Sequence, residues 1–336
     1  MAAALATAPS RARVWAALWV VYLVWGSTYL GIRVVVHPSH GAGLPPLLAA
    51  GVRFGAAGLL MLLLTVRRPA ADGRPDPLGR RQWFAATVVG TALLLGGNGL
   101  VSLAEKRVAS GPAAVIIATV PIWAAIVGAL MGQGRVTLRH GAGLVLGFAG
   151  VAALVIGSGS GRADITGVLV LVGAALSWAA GSVWSRTAPL VRRPLVMTGM
   201  EMLCGGIACA LAGLASGELG QLHLDRVPAQ SWLAIGYLAI VGSMVGYTAY
   251  VWLLGNAPLS LVTTYAYVNP LVAVLLGALL LHEHLSARTA VATVAIVSGV
   301  VLMVRRPHDR RATKATAAAA VSSPASNEGE PQQQCA

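Results

Sequence analysis

Charge is what this sequence has least of. Of its 336 residues only 10% are Asp, Glu, Lys or Arg, against about 25% in an average soluble domain. Nearly every window of 20 residues is apolar, which excludes an ordinary soluble domain. Acids are scarcer than bases, 11 against 24, for a net charge of +13. That excess is not a nucleic-acid footprint, because the basic residues sit in short loops between apolar runs and not on a folded basic face. Cysteine is scarce too. Cys204 and Cys209 fall on different faces of one apolar run and Cys335 lies in the tail, so no disulfide framework, metal site or cofactor-ligand spacing follows. The interiors of the apolar runs hold one clear carboxylate and no histidine, and Gly157-Ser158-Gly159-Ser160-Gly161 lacks the Gly-x-Ser-x-Gly spacing. An intramembrane enzyme, which needs a nucleophile and a base within reach, is thereby disfavoured. All loops are short, whereas a non-transporting scaffold or receptor, the alternative reading, would want a soluble domain or a docking tail.

What the chain has is long hydrophobic runs. Val14 to Val36 carries no charge before Arg33, and at 1.5 Å per residue about 20 residues cross the roughly 30 Å apolar core of a bilayer. A basic flank, Arg11 and Arg13, precedes a run too long for a signal-peptide core, so this is an uncleaved first span. Its aromatics Trp15, Trp19, Tyr22, Trp25 and Tyr29 fall within an arc of roughly 120° on a helix. They form either an interfacial packing stripe or the wall of a cavity.

Nine further spans are predicted: Pro45–Val66, Trp83–Leu103, Gly111–Met131, His140–Gly157, Gly167–Thr187, Leu195–Ser216, Ser231–Leu254, Leu259–Leu281 and Ala287–Val304. The tail from Arg305 is basic, then rich in Ala, Ser, Pro and Gln, the composition of a disordered segment. With alternate loops on opposite sides, 17 Lys and Arg share the side of the termini and five lie opposite, while Arg33 and Arg53 stay inside spans. The bias places both termini in the cytoplasm of a bacterial cell, the chain crossing its inner membrane.

An internal repeat runs at a shift of 149: Gly97 with Gly246, Pro121 with Pro270, Gly128-Ala129-Leu130 with Gly277-Ala278-Leu279, and Gly150-Val151 with Gly299-Val300. Trp25 and Arg33 match Trp178 and Arg186 at a shift of 153. The fold expected is an all-α membrane protein of ten transmembrane helices in two five-helix repeats. Because five is odd, the second repeat enters inverted, the architecture of alternating access around a midplane site. The divisions are residues 1–13 as a cytoplasmic segment, 14–157 and 167–304 as the repeats, and 305–336 as the cytoplasmic tail.

Ionisable groups at membrane depth cost about 2.5–3.5 kcal/mol each on insertion scales and so ask for a partner or an aqueous cavity. Arg53 and Glu201 are the deepest. Arg33 and Arg186 lie near span ends, where they either snorkel to the interface or act in gating, Arg186 as an ion-pair partner for Glu201. Asn98 sits among Gly96, Gly97 and Gly99. Asn269 precedes Pro270, whose missing N–H frees a carbonyl, and Tyr265 lies one turn away. The predicted substrate site is Trp25, Arg53, Asn98, Trp178, Glu201, Tyr265 and Asn269, with Glu201 the group to carry a coupling proton. His282 and His284, at i and i+2, point apart on a helix, so no metal is assigned.

Several stretches in order carry a family resemblance: Trp25-Gly26-Ser27-Thr28-Tyr29, Ala50-Gly51-Val52-Arg53-Phe54, Gly97-Asn98-Gly99, Ser177-Trp178-Ala179, Glu201-Met202-Leu203, and Thr264-Tyr265-Ala266-Tyr267-Val268-Asn269-Pro270. They resemble the EamA-like family of the drug/metabolite transporter superfamily over nearly the whole chain to about Arg305. The resemblance implies ten helices in two inverted repeats, a central cavity, and export or exchange of small metabolites or drugs. It supplies no substrate identity. The partners expected are a small-molecule substrate, a proton as coupling ion and the lipid bilayer, with a homodimer left open.

Overall fold

A chain this poor in polar side chains has to satisfy its backbone internally, and in a bilayer helices do so segment by segment. The computed structural model describes residues 10–66, 78–132, 164–191, 193–257, 259–262, 264–281 and 287–304, with isolated positions between 138 and 150. Among the described residues regular structure is entirely helical. Seven helices are long and apolar enough to cross a membrane: Arg11–Val36, Pro46–Thr65, Arg80–Ala104, Ser110–Leu130, Ile165–Ser185, Pro194–Ala215 and Ala229–Leu253. They coincide with expected spans one to four and six to eight, and keep those ordinals below. Two apolar helices, Tyr265–Leu281 and Ala287–Val304, occupy the places of the ninth and tenth. Most of the expected fifth span, and His282 to His284, lie outside the described residues. Large apolar side chains such as Leu63, Phe84, Leu169, Leu233 and Leu279 point outward, an arrangement suited to hydrocarbon and not to water.

The second and seventh helices form the closest pair. Glycines let their backbones touch: a Cβ on Gly51 would lie 2.8 Å from the Ala210 nitrogen, and Gly58 and Gly206 meet backbone atoms of the partner helix in the same way. The flanks of the seventh helix also hold both ends of the second. The second starts at Pro45-Pro46 with no side-chain cap of its own. Glu218, in the turn after the seventh helix, accepts from the N–H of Leu47 at 3.0 Å and of Leu48 at 2.9 Å. At the other end Arg193, just before the seventh helix, donates from Nη1 to the Thr65 carbonyl at 3.2 Å. An acid at the N-terminus and a base at the C-terminus is the arrangement that the helix dipole favours.

The third and eighth helices each widen to π-helical winding midway, over Thr91–Gly99 and Leu238–Tyr247. These segments begin 147 residues apart and end 148 apart (91 to 238, 99 to 247), within two residues of the 149-residue shift of the sequence repeat. The fourth is broken by a turn at Ala118-Thr119, just before Pro121, where the proline lacks the N–H that a continuous helix would use. The ninth accommodates Pro270 inside the helix.

Candidate functional site

The aromatic stripe of the first helix divides. Trp15 and Trp19 are 50% and 54% exposed, whereas Tyr22 is 5% exposed and Trp25 and Tyr29 turn into the bundle. An arc of roughly 120° is wide enough to straddle the boundary between lipid and protein, so packing stripe and cavity wall are both present on one helix. Gly246 and Gly97 make room for the inward rings. A Cβ on Gly246 would lie 2.8 Å from Trp25 Nε1, and one on Gly97 would lie 2.6 Å from Trp178 Cε3. The repeat pairs Trp25 with Trp178 and Gly97 with Gly246, so each tryptophan packs on the glycine of the opposite half. The two indoles meet edge to face at 5.7 Å, and Tyr250 and Tyr265 stand 4.8 and 5.3 Å from Trp25.

Beside this cluster lies a cavity of about 70 Å³, lined from the first half by Trp25, Thr28, Tyr29, Arg53 and Asn98 and from the second by Trp178, Tyr265 and Asn269. Six of the seven residues predicted for the substrate site are thus brought together. Arg53, only 5% exposed, spans the gap between the two π-helical segments. Its Nε donates to Ser243 Oγ at 2.8 Å and to the Leu238 carbonyl at 3.2 Å, and its Nη1 donates to Asn98 Oδ1 at 3.4 Å. Asn269, with its amide nitrogen turned toward the acceptors, donates to the carbonyls of Tyr22 at 3.1 Å and Tyr265 at 3.2 Å.

Glu201 is the member that does not line the cavity. It is 2% exposed on the seventh helix, and its Oε2 accepts from the Tyr247 hydroxyl at 2.7 Å. Tyr247 in turn lies 6.5 Å from Trp25, ring to ring, so Glu201 sits one side chain behind the cavity wall. The expected pairing of Glu201 with Arg186 does not form. Arg186 caps the C-terminal end of the sixth helix and is exposed, where solvent and the helix dipole both accommodate its charge. Arg33 is half-buried, and its Nη1 donates to the carbonyl of Glu105, tying the end of the first helix to the end of the third.

Two buried acids escaped the sequence reading. Glu105 is 0% and Glu218 4% exposed. Both sit two residues past a predicted span, where an acid reads as loop. Pro45-Pro46, a helix start with no capping side chain, was the available signal that an acid from elsewhere was needed.

A model of the EamA-like transporter family matches this chain twice, over residues 14–156 and 165–305. The uncharacterized inner membrane transporter YedA of Escherichia coli (strain K12) is 40% identical over 291 residues, covering 85% of this chain and 89% of that protein. A probable amino-acid metabolite efflux pump of the same strain is 25% identical over 302 residues, covering 88% of this chain and 95% of that one. A solved structure titled "Crystal structure of protein" shares the fold at a TM-score of 0.58 with 21% identity, covering 88% of this chain and 97% of that one. With both matched segments meeting around one cavity, the chain belongs to the EamA-like transporter family.

Proposed function

We propose that this protein moves a small molecule across the bacterial cytoplasmic membrane, in the direction of export, by alternating access between two inverted five-helix repeats, residues 14–157 and 167–304. The observation that carries the proposal is the cavity that both halves line, with Arg53, Asn98 and Asn269 placing polar groups in an otherwise apolar and aromatic wall. The twofold match of one family model, the π-helical segments at repeat spacing and the reciprocal tryptophan-on-glycine contacts support the repeat. The names of the relatives, a transporter and an efflux pump, support the direction. Trp25, Arg53, Asn98, Trp178, Tyr265 and Asn269 contact the substrate in this reading. Glu201 acts from behind through Tyr247 as the proton-exchanging group, and the basic-residue bias sets both termini in the cytoplasm.

Counterflow in proteoliposomes with amino acids, nucleosides and cationic dyes tests the proposal. Saturable exchange of one class supports it. Tight binding of a compound with no exchange of any would turn the reading to a membrane receptor.

A further inference from the structure

Resting on the transport reading, we propose that the substrate carries a carboxylate, which the cavity takes up on Arg53. Among the described residues the cavity lining holds one full positive charge and no acid. Among the described residues no Asp or Glu oxygen comes within 4.0 Å of the guanidinium. A guanidinium has five N–H donors. In Arg53 the Nε–H is shared between Leu238 O and Ser243 Oγ and one Nη1–H reaches Asn98, so the other three meet no acceptor among the described residues. Nη2 packs beside Gly242, where an added Cβ would come within 3.3 Å of it. A buried charge with neutral partners on one edge and open donors on the other is costly until an anion completes it. The planar fork of Nη1 and Nη2 matches the two oxygens of a carboxylate.

The rest of the wall describes the rest of the molecule. Trp25, Trp178 and Tyr265 offer ring faces and edges, so the body is apolar. At about 70 Å³ the cavity is small, so the probes chosen below carry a short branched body. Cations are disfavoured, because Arg53 repels them and Glu201 is screened behind Tyr247.

The test uses the full chain purified in detergent, with binding read by tryptophan fluorescence and thermal shift. The probes share one apolar body: isovalerate, L-leucine, isovaleramide and isopentylamine. Isovalerate is expected to bind about 10- to 100-fold more tightly than the amide and the amine, the range for a charge-assisted pair in a dry site, and L-leucine, whose ammonium meets no acid in the lining, less tightly than isovalerate. Asn98→Asp replaces the neutral acceptor on Nη1 with a carboxylate. It is expected to weaken isovalerate binding by a similar factor while the melting temperature holds or rises, and Arg53→Gln should lose the preference altogether. Amide binding equal to isovalerate binding, no saturable carboxylate binding, or an Asn98→Asp protein that binds isovalerate like wild type would each overturn the proposal. The ligand series on the wild-type chain decides the matter if a variant does not fold. In proteoliposomes, carboxylate binding without any exchange removes the transport reading and leaves this site. Exchange of the amine or amide without preference for the carboxylate leaves transport and removes this site.

Discussion

Tyr247 donates a 2.7 Å hydrogen bond to Glu201 inside the bundle, and the same tyrosine ring lies 6.5 Å from Trp25 of the cavity wall. The carboxylate is therefore linked to the cavity through one side chain that changes position if the wall moves. If Glu201 exchanges the coupling proton, transport by wild type varies with pH, and Glu201→Gln gives a flat profile at reduced rate. Tyr247→Phe keeps a pH dependence with a displaced midpoint, because the carboxylate remains and loses only a donor. Transport rates across a pH series for the three proteins check this. A pH-dependent Glu201→Gln protein would remove the acid from the mechanism.

The reciprocal tryptophan–glycine contacts predict matched defects in the two halves. Gly97→Val and Gly246→Val each force the facing indole to move, at about 1–3 kcal/mol of stability for an overpacked site. Both should lower the melting temperature and the transport rate. Gly173→Val is the control, since a Cβ there meets nothing within 4 Å. Thermal melting of the three purified variants tests the symmetry.

The divided stripe predicts unequal tryptophans. Trp25→Ala opens the aromatic cluster and is expected to cost about 3 kcal/mol or more, the range for a large buried aromatic. Trp15→Ala, at a half-exposed position on the outer face, should change stability by less than about 0.5 kcal/mol. Denaturant titration of the two variants distinguishes them.

Glu218 predicts a loss of helix capping at long range. Glu218→Gln weakens two hydrogen bonds to the start of the second helix and removes the favourable charge, at about 1–2 kcal/mol. The readout is a lowered melting temperature together with faster hydrogen exchange at Leu47 and Leu48.

Asp164 supplies a pH-dependent contribution outside the membrane. The Arg107 side chain at 2.6 Å, and then the Thr166 N–H, hold its carboxyl below the ordinary value of 3.8. A depressed folded value means that the contribution is present above the unfolded value and is lost as pH falls through the folded one. The difference in melting temperature between wild type and Asp164→Asn should stay constant through neutral pH and shrink toward zero under acid conditions.

The helical architecture was legible because uninterrupted apolar runs permit few alternatives in a bilayer. Arg53, Asn98 and Asn269 were legible for the same reason, since polar groups deep in such runs must face one another or water. Depth along the run was less informative at its ends. Arg186 read equally well as a gate or as a surface charge, and the distance between its exposed helix end and the buried Glu201 exists only in three dimensions. Glu105 and Glu218 sit just outside the runs and give no local sign that the chain folds back over them. The π-helical winding is also silent in the sequence, since Thr91–Gly99 and Leu238–Tyr247 have the composition of ordinary apolar helix. Only the Gly96-Gly97-Asn98-Gly99 cluster marked one of them.

The second helix, pinned at its start by Glu218 and at its end by Arg193, makes a bridge between the two halves that does not readily slide. Any swing of one half against the other must then pivot near this bridge, with the largest excursions on the far side, where the broken fourth and proline-bearing ninth helices stand. Arg53 rides on the pivot itself, so the cargo would be held at the fulcrum while the doors on either side of it turn.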